Sequence, residues 1–423
     1  GGAPPPPGPG GGGGGRGGGA GPPTRTGEGG GGGGETKGGA PPPPAGGAGP
    51  PRAARGEMWV VDPAGSVGRL PRGYRRLEWS PVVGAGDWEL AGARARALVG
   101  AARSDHEGHE HFRDRAAQLT RCLLHAAAEG ELGMRQVMGW VGAQDLEAAG
   151  AILADSGSSP QALAVLAGLR ATPDRERGSI WSAAARALSA FDSEAVLAMT
   201  DRAAACGFDP DRFVAARYGW DTVYVVAAAD GEVDLAPAVV GLVDDIRRAA
   251  RRASDGRPGG ALSPMLLLAL DEVANICPLP ALPEILSEGG GRGVRTILGV
   301  QDLNQLARRW GQQAMREMRG SCAVLALSGL HDTETLEWLS SLCGTERQAV
   351  ESRTQHAGRG GGSSRTTSLE LRPRWSVEEI RSISPGRGLA VLGHHEAELV
   401  ALAWAPRAPA ARLTHTRDLR RAA

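Results

Sequence analysis

The chain has 423 residues, room for one large domain or two to three ordinary ones. Lys plus Arg and Asp plus Glu are equal at 47 each, so no global basic field gathers nucleic acid, and any DNA contact has to be local. Gly (65) and Pro (29) are far above the usual ~12% of a globular chain, but their excess is concentrated at one end.

Residues 1–50 hold 25 Gly and 12 Pro and no Val, Ile, Leu, Met, Phe, Trp, Tyr or Cys. Such a segment cannot bury enough apolar surface to offset its ordering entropy, so 1–56 reads as a disordered tract. It has neither the apolar core of a signal peptide nor the amphipathic pattern of a transit peptide. The chain opens on Gly1 and its first methionine is Met58, which reads as a fragment of a longer frame. No run approaches the ~20 apolar residues of a membrane span, so the chain as given reads as soluble. Cys122, Cys206, Cys277, Cys322 and Cys343 show no CxxC spacing, which points to buried thiols in a reducing compartment.

Folded sequence begins near Glu57. Met58-Trp59-Val60-Val61, stopped by Asp62-Pro63, reads as a buried strand, and a loop with Trp79-Ser80-Pro81 follows within 57–86. Residues 87–206 carry almost no strand signal. Ala116, Leu119, Leu123 and Leu124 make one helical stripe; Ile152, Leu153, Leu163 and Leu166 begin others. The stretch from Asp155 to Pro160 is a helix stop and restart. This block is expected to be an all-α insertion domain.

Across 207–405, short apolar runs at 222–229, 265–270, 294–300 and 322–327 alternate with helical segments at 235–252, 279–288, 304–319 and 332–343. That pattern indicates an α/β domain with a mostly parallel sheet covered on both faces. Residues 354–366 read as a Gly/Ser/Arg-rich loop, 389–393 and 398–404 as two last strands, and 406–423 as an Arg-rich tail.

The strongest chemical signal is the run Met265 to Leu270 followed by Asp271-Glu272. An apolar strand ending in two carboxylates is the Walker B pattern, which lifts them to the ligand-binding edge of an open α/β sheet. One can hold Mg²⁺, usually through water, and the next can orient or deprotonate an attacking water. The same pair also suits the cap of a following helix. The next apolar run leads into Gln301, which could sense a γ-phosphate or simply start a loop. Between the two lies Arg292 in a Gly-rich turn, 21 positions past Asp271. It could reach phosphate across a subunit boundary, or be a solvated loop arginine.

Leu270-Asp271-Glu272-Val273-Ala274-Asn275-Ile276 resembles the "LDEFANI" signature of the VirD4/TraG/TraD type IV coupling proteins. Gly291-Arg292-Gly293-Val294 followed by Val300-Gln301-Asp302-Leu303-Asn304-Gln305-Leu306 is similar to their next block. So are Leu327-Ser328-Gly329, Asp332-Thr333-Glu334-Thr335, Leu342-Cys343-Gly344, Trp375 to Ile380 and Leu389 to Leu392. The resemblance covers roughly 57–405 and is specific in 265–345. It implies a RecA-like P-loop NTPase fold with an inserted all-α domain. It also implies a hexameric ATPase at the cytoplasmic face of the plasma membrane that moves single-stranded DNA and its relaxase toward a secretion channel. By position, Asp271 would be the Mg²⁺-side carboxylate, Glu272 the water-activating one, Gln301 the sensor and Arg292 a trans-acting finger. On this reading all four should cluster at one sheet edge. The stretch after the Walker B pair overlaps the TraM-recognition region, a docking site for relaxosome proteins.

One departure is decisive. A P-loop needs G-x-x-x-x-G-K-S/T, and the chain's single lysine is Lys37, in Gly34-Glu35-Thr36-Lys37-Gly38. The P-loop strand is expected before Met58, where the Gly/Pro tract lies. The chain alone is therefore expected not to hydrolyse ATP, and a non-enzymatic docking module or a gene remnant is the rival reading. Two weaker features are His106-Glu107-Gly108-His109-Glu110-His111, a possible Zn²⁺ or Ni²⁺ cluster or a solvated surface, and the basic group Arg247, Arg248, Arg251 and Arg252. That group would touch DNA phosphates or be balanced by Asp244 and Asp245.

Overall fold

The structure, a computed structural model, describes residues 56–62, 67–102, 110–157, 159–201, 207–215, 221–226, 234–355, 363–393 and 395–402. Strand β1 (Met58–Val61) lies between β2 (Tyr74–Arg76) and β3 (Thr222–Val225), parallel to both, with Met58 opposite Tyr74 and Thr222. Its central position explains its unbroken apolar run. Trp59 and Val61 enter one core, and Met58 and Val60 enter another with Tyr74.

Seven helices follow: α1 (Trp88–Ala101), α2 (Glu110–Glu129), α3 (Met134–Ala143), α4 (Glu147–Ser156), α5 (Pro160–Arg170), α6 (Asp174–Leu188) and α7 (Glu194–Thr200). The stripe Ala116, Leu119, Leu123 and Leu124 is buried against Ile180, Trp181 and Phe191. Asp87 starts α1 by accepting from the Glu89 and Leu90 amides at 2.8 and 3.2 Å. The stop and restart falls where the sequence places it. Gly157 ends α4 in the left-handed region (φ 61°), and Ser159 caps α5, which opens on Pro160.

After α8 (Pro210–Val214), the amphipathic α9 (Ala236–Asp255) turns Val239, Val240, Val243 and Ile246 into the second core. There α1 and α9 are joined by a buried ion pair. Asp245 accepts from Arg94 Nη2 at 2.8 Å, from Arg94 Nε at 2.9 Å and from Trp79 Nε1 at 2.9 Å, and Arg94 Nη1 donates to the carbonyls of Pro81 and Val83. Asp245 therefore does not balance the basic face of α9. Asp244 holds Arg247 and Arg248, and Asp211 holds Arg252.

The parallel pair β4 (Leu266–Leu270) and β5 (Val294–Leu298) is in register Leu266↔Val294 to Leu270↔Leu298. Between and after them run α10 (Val273–Ile276), α11 (Leu282–Glu288), α12 (Leu303–Trp310) and α13 (Gln312–Gly320). The expected single helix over 304–319 is thus two, divided at Gly311 (φ 88°), a conformation other residues rarely hold. Then come β6 (Val324–Leu327), α14 (Thr333–Leu342), β7 (Thr345–Gln355), β8 (Ser363–Pro373), α15 (Val377–Arg381), β9 (Arg387–Val391) and β10 (Glu398–Ala401).

The α/β class holds, but the described strands form four sheets rather than one. Besides the two parallel sheets, β10-β9-β6 is antiparallel and β7-β8 is a separate antiparallel hairpin. Its ladder runs from Thr345↔Pro373 to Gln355↔Ser363. Much of the loop expected at 354–366 is therefore strand, and 356–362 lie outside the described residues. The Gly, Ser and Arg content there hid the alternation.

Cys122, Cys277 and Cys343 are buried, Cys322 is half-buried, and Cys206 lies outside the described residues. So do 106–109 of the His-rich stretch, while His111 lies 3.2 Å from Glu176. Among the described residues no helix is long and apolar enough to cross a membrane.

Candidate site at the ends of β4 and β5

Residue 271 follows the last residue of β4, and residue 299 the last of β5, so the two chains leave the sheet side by side. Gly299 N–H donates to Leu270 O at 2.8 Å, and Val273 N–H to Gly299 O at 3.3 Å, extending the ladder into the loops. A Cβ at position 299 would fall 2.3 Å from Asp271 Oδ1. Glycine is what lets this carboxylate lie across the neighbouring strand. Asp271 Oδ1 also accepts the Glu272 amide at 3.0 Å.

Glu272 sits at φ 49°, ψ 41°, the left-handed region, at the head of α10. Non-glycine residues held there carry a backbone penalty. Its carboxylate is fixed at both oxygens. Gln301 Nε2 donates to Oε1 at 2.8 Å, and Asn275 Nδ2 donates to Oε2 at 3.1 Å. Gln301 is held in turn, since its Oε1 accepts from Gln305 Nε2 at 3.1 Å. Asp302 caps α12 through the Gln305 amide at 2.8 Å.

A second set of bonds ties the start of α12 to the start of α14. Leu303 N–H donates to Thr335 Oγ1 at 3.1 Å, and Asn304 Nδ2 to Asp332 Oδ1 at 3.0 Å. The Thr335 hydroxyl and amide beside Asp332, with Asn304, hold its carboxyl below the ordinary aspartate value.

Asp271, Glu272 and Gln301 thus come together at one sheet edge, and Arg292 does not. It precedes β5, at the opposite end from Gln301, about 16 Å of strand away at ~3.3 Å per residue. There it pairs with Asp255 at 2.5 Å and lies 3.9 Å from Glu288, joining the last residues of α9 and α11. The expected cluster of four is a cluster of three within one chain. The parallel register forces this, because a residue before β5 and one after it lie at opposite ends.

Asn275, Gln305 and Gly299 were given no role from sequence. Asn275 stands three residues after Glu272 and Gln305 four after Gln301, spacings that meet on one helical turn. Gly299 carries no such signal, since its need appears only against the neighbouring strand.

Mg²⁺ binds through one or two carboxylates, waters and phosphates, and the exposed Asp271 fits that part. Among the described residues no group of three His, Cys, Asp or Glu could hold a metal by itself. Among the described residues there is no lysine to meet a triphosphate.

Residues 265–385 match the family model described as the TraM recognition site of TraD and TraG. Conjugal transfer protein TraG of Escherichia coli is 30% identical over 166 residues, which is 37% of this chain and 26% of the relative, so the match spans about a quarter of that protein. The unbound monoclinic form of the bacterial conjugative coupling protein TrwBdeltaN70 superposes with a TM-score of 0.58 at 18% identity, over 82% of this chain and 74% of that one. The plasmid coupling protein TrwB in complex with ADP and Mg²⁺ gives 0.56 at 18%, with the same coverage. The structural likeness establishes the RecA-like α/β fold. The C-terminal region, with the Glu272–Gln301 pair inside the matched segment, is thus similar to the TraM recognition site of TraD and TraG and to conjugal transfer protein TraG.

Proposed function

We propose that this chain is the Walker B and TraM-recognition part of a coupling protein of conjugative DNA transfer. The observation that carries the reading is the Glu272–Gln301 bond at the sheet edge inside the matched segment. In this role Asp271 faces Mg²⁺, Glu272 orients a water and Gln301 reports on the phosphate. Arg292 acts only on a neighbouring subunit. Its place at the far end of β5 supports the trans role and speaks against a cis one. The organisation is a tract over 1–56, a first strand and loop over 57–86, an all-α insertion over 87–206, a RecA-like domain over 207–405 and a tail over 406–423.

ATP and Mg²⁺ are the cofactors of the whole assembly. Single-stranded DNA, relaxase, relaxosome proteins, further copies in a homo-hexamer and a secretion channel are its partners, at the cytoplasmic face of the plasma membrane. The single lysine supports a second reading for the chain by itself, a docking module that binds relaxosome protein or DNA without turnover. The phosphate cradle is then supplied by sequence outside these residues, and translation of the DNA upstream of the Met58 codon would reveal it as G-x-x-x-x-G-K-S/T.

The test uses the purified chain with Mg²⁺-ATP and a purified TraM protein. Binding of TraM without ATP turnover supports the docking reading for this chain. Turnover abolished by Glu272→Gln supports a self-sufficient motor. No TraM binding and no turnover sinks both.

A further inference from the structure

The β7–β8 hairpin has two 11-residue strands, and among the described residues no third strand joins either edge. An isolated two-stranded hairpin is marginal in water, and a long open edge is a template for another strand. Side chains alternate along the ladder, so Arg347, Ala349 and Glu351 share one face with Leu371, Leu369 and Thr367 directly opposite them. All six are exposed, the two leucines at 68% each. Glu351 pairs with Arg365 of β8, while Arg347 has no ion pair among the described residues.

The outer edge of β7 is complementary to itself. Antiparallel pairing of two copies about a two-fold axis at Ala349 sets Arg347 opposite the partner's Glu351, and Glu351 opposite the partner's Arg347. On the other face Glu346 meets the partner's Ser352 and Gln348 the partner's Val350, so no like charges oppose. Other centres do worse. Arg347, Val350 or Glu351 at the axis opposes like charges, and Gln348 pairs none. Ser352 at the axis pairs Glu351 with position 353 but leaves Arg347 beyond the ladder. The β8 edge offers less, since Pro373 cannot donate to a ladder and Glu370 is taken by Arg372 of its own strand.

We propose that β7 is a docking edge for a second copy of this chain, joined antiparallel about a two-fold axis at Ala349 by reciprocal Arg347–Glu351 pairs. The product is a four-stranded sheet in the order β8-β7-β7-β8. In it Leu369, Ala349, the partner's Ala349 and the partner's Leu369 fall in one apolar row on the face that carries both ion pairs. Such an isologous contact uses the same patch on both copies and closes on two chains. It is therefore separate from the head-to-tail contacts that build a ring, and it links a chain to one outside its own ring. The inference rests on the hairpin alone and is independent of any nucleotide chemistry.

The test is sedimentation velocity of the full chain over a concentration series, where a monomer–dimer equilibrium is expected. Arg347→Glu alone and Glu351→Arg alone each set two like-charge pairs across the interface and should weaken it about tenfold or more. An equimolar mixture of the two variants restores opposite charges at both pairs, so a one-to-one heterodimer should return with the parent affinity. Ala349→Cys faces its own mate with Cα atoms about 4.5–5.5 Å apart, within disulfide reach, and should cross-link under mild oxidation. Ser352→Cys stands six positions, about 20 Å, from its mate and should not. The parent chain with its native cysteines is the control. All four positions are exposed, and circular dichroism checks the fold of each variant. A parent chain that stays monomeric, a dimer that neither charge change weakens, a mixture that fails to associate, or equal cross-linking at 349 and 352 would each overturn the proposal.

Discussion

The side-chain amide of Gln301 bonds Glu272 at 2.8 Å across the ends of two parallel strands, and Glu272 holds a left-handed backbone to receive it. The penalty of that backbone is about 1–3 kcal/mol for a non-glycine residue. Glu272→Ala loses both amide bonds and keeps the strained backbone. Glu272→Gly loses the same bonds and relieves it. The glycine variant should therefore be the more stable of the two by about 1–3 kcal/mol in urea unfolding. Equal stabilities would show that the backbone at 272 is not strained.

The Arg94–Asp245 pair is buried between α1 and α9, with Trp79 on the same carboxylate. Removing one partner leaves an uncompensated buried charge. Arg94→Ala should cost about 3–5 kcal/mol. Arg94→Met combined with Asp245→Leu should cost clearly less than the sum of its single changes, read by urea midpoints at fixed slope. Strict additivity would mean the two groups do not interact.

Gly299 has no unusual backbone requirement, so its importance is steric. Gly299→Ala places a carbon against the Asp271 carboxylate and should cost about 1–3 kcal/mol. Much of that penalty should vanish in an Asp271→Ala background, because the obstructing oxygen is gone. A penalty of the same size in both backgrounds would place the clash elsewhere.

Burial pushes the thiols of Cys122 and Cys277 up to about 12. An unfolded thiol ionises near ~8.5. Between those values the unfolded chain releases protons that the folded chain retains, so stability is intact below ~8.5 and falls as pH rises toward 12. The urea midpoint should therefore drop more steeply from pH 8 to 10.5 in the parent chain than in Cys122→Ala/Cys277→Ala. At pH 8 the half-buried Cys322 should alkylate before either of them.

Sequence by itself determined the pieces whose signals are local. The run Met58 to Val61 is a strand because its residues are apolar on both faces. The break at 155–160 is a turn because Gly157 and Pro160 admit little else there. Asp271 and Glu272 sit at a strand end because the apolar run stops there. Tertiary structure decided what depends on register between distant segments. Pairing of Leu270 with Leu298 brought Gln301 to Glu272 and put Arg292 at the far end of the sheet. The same pairing made Gly299 necessary, while the packing of α9 against α1 drew Asp245 away from its neighbouring arginines into a pair with Arg94. The β7–β8 hairpin stayed hidden because its ladder joins residues whose composition reads as loop. A one-residue sequence pattern carries which face is apolar, but which edge meets which is fixed only when the strands pair.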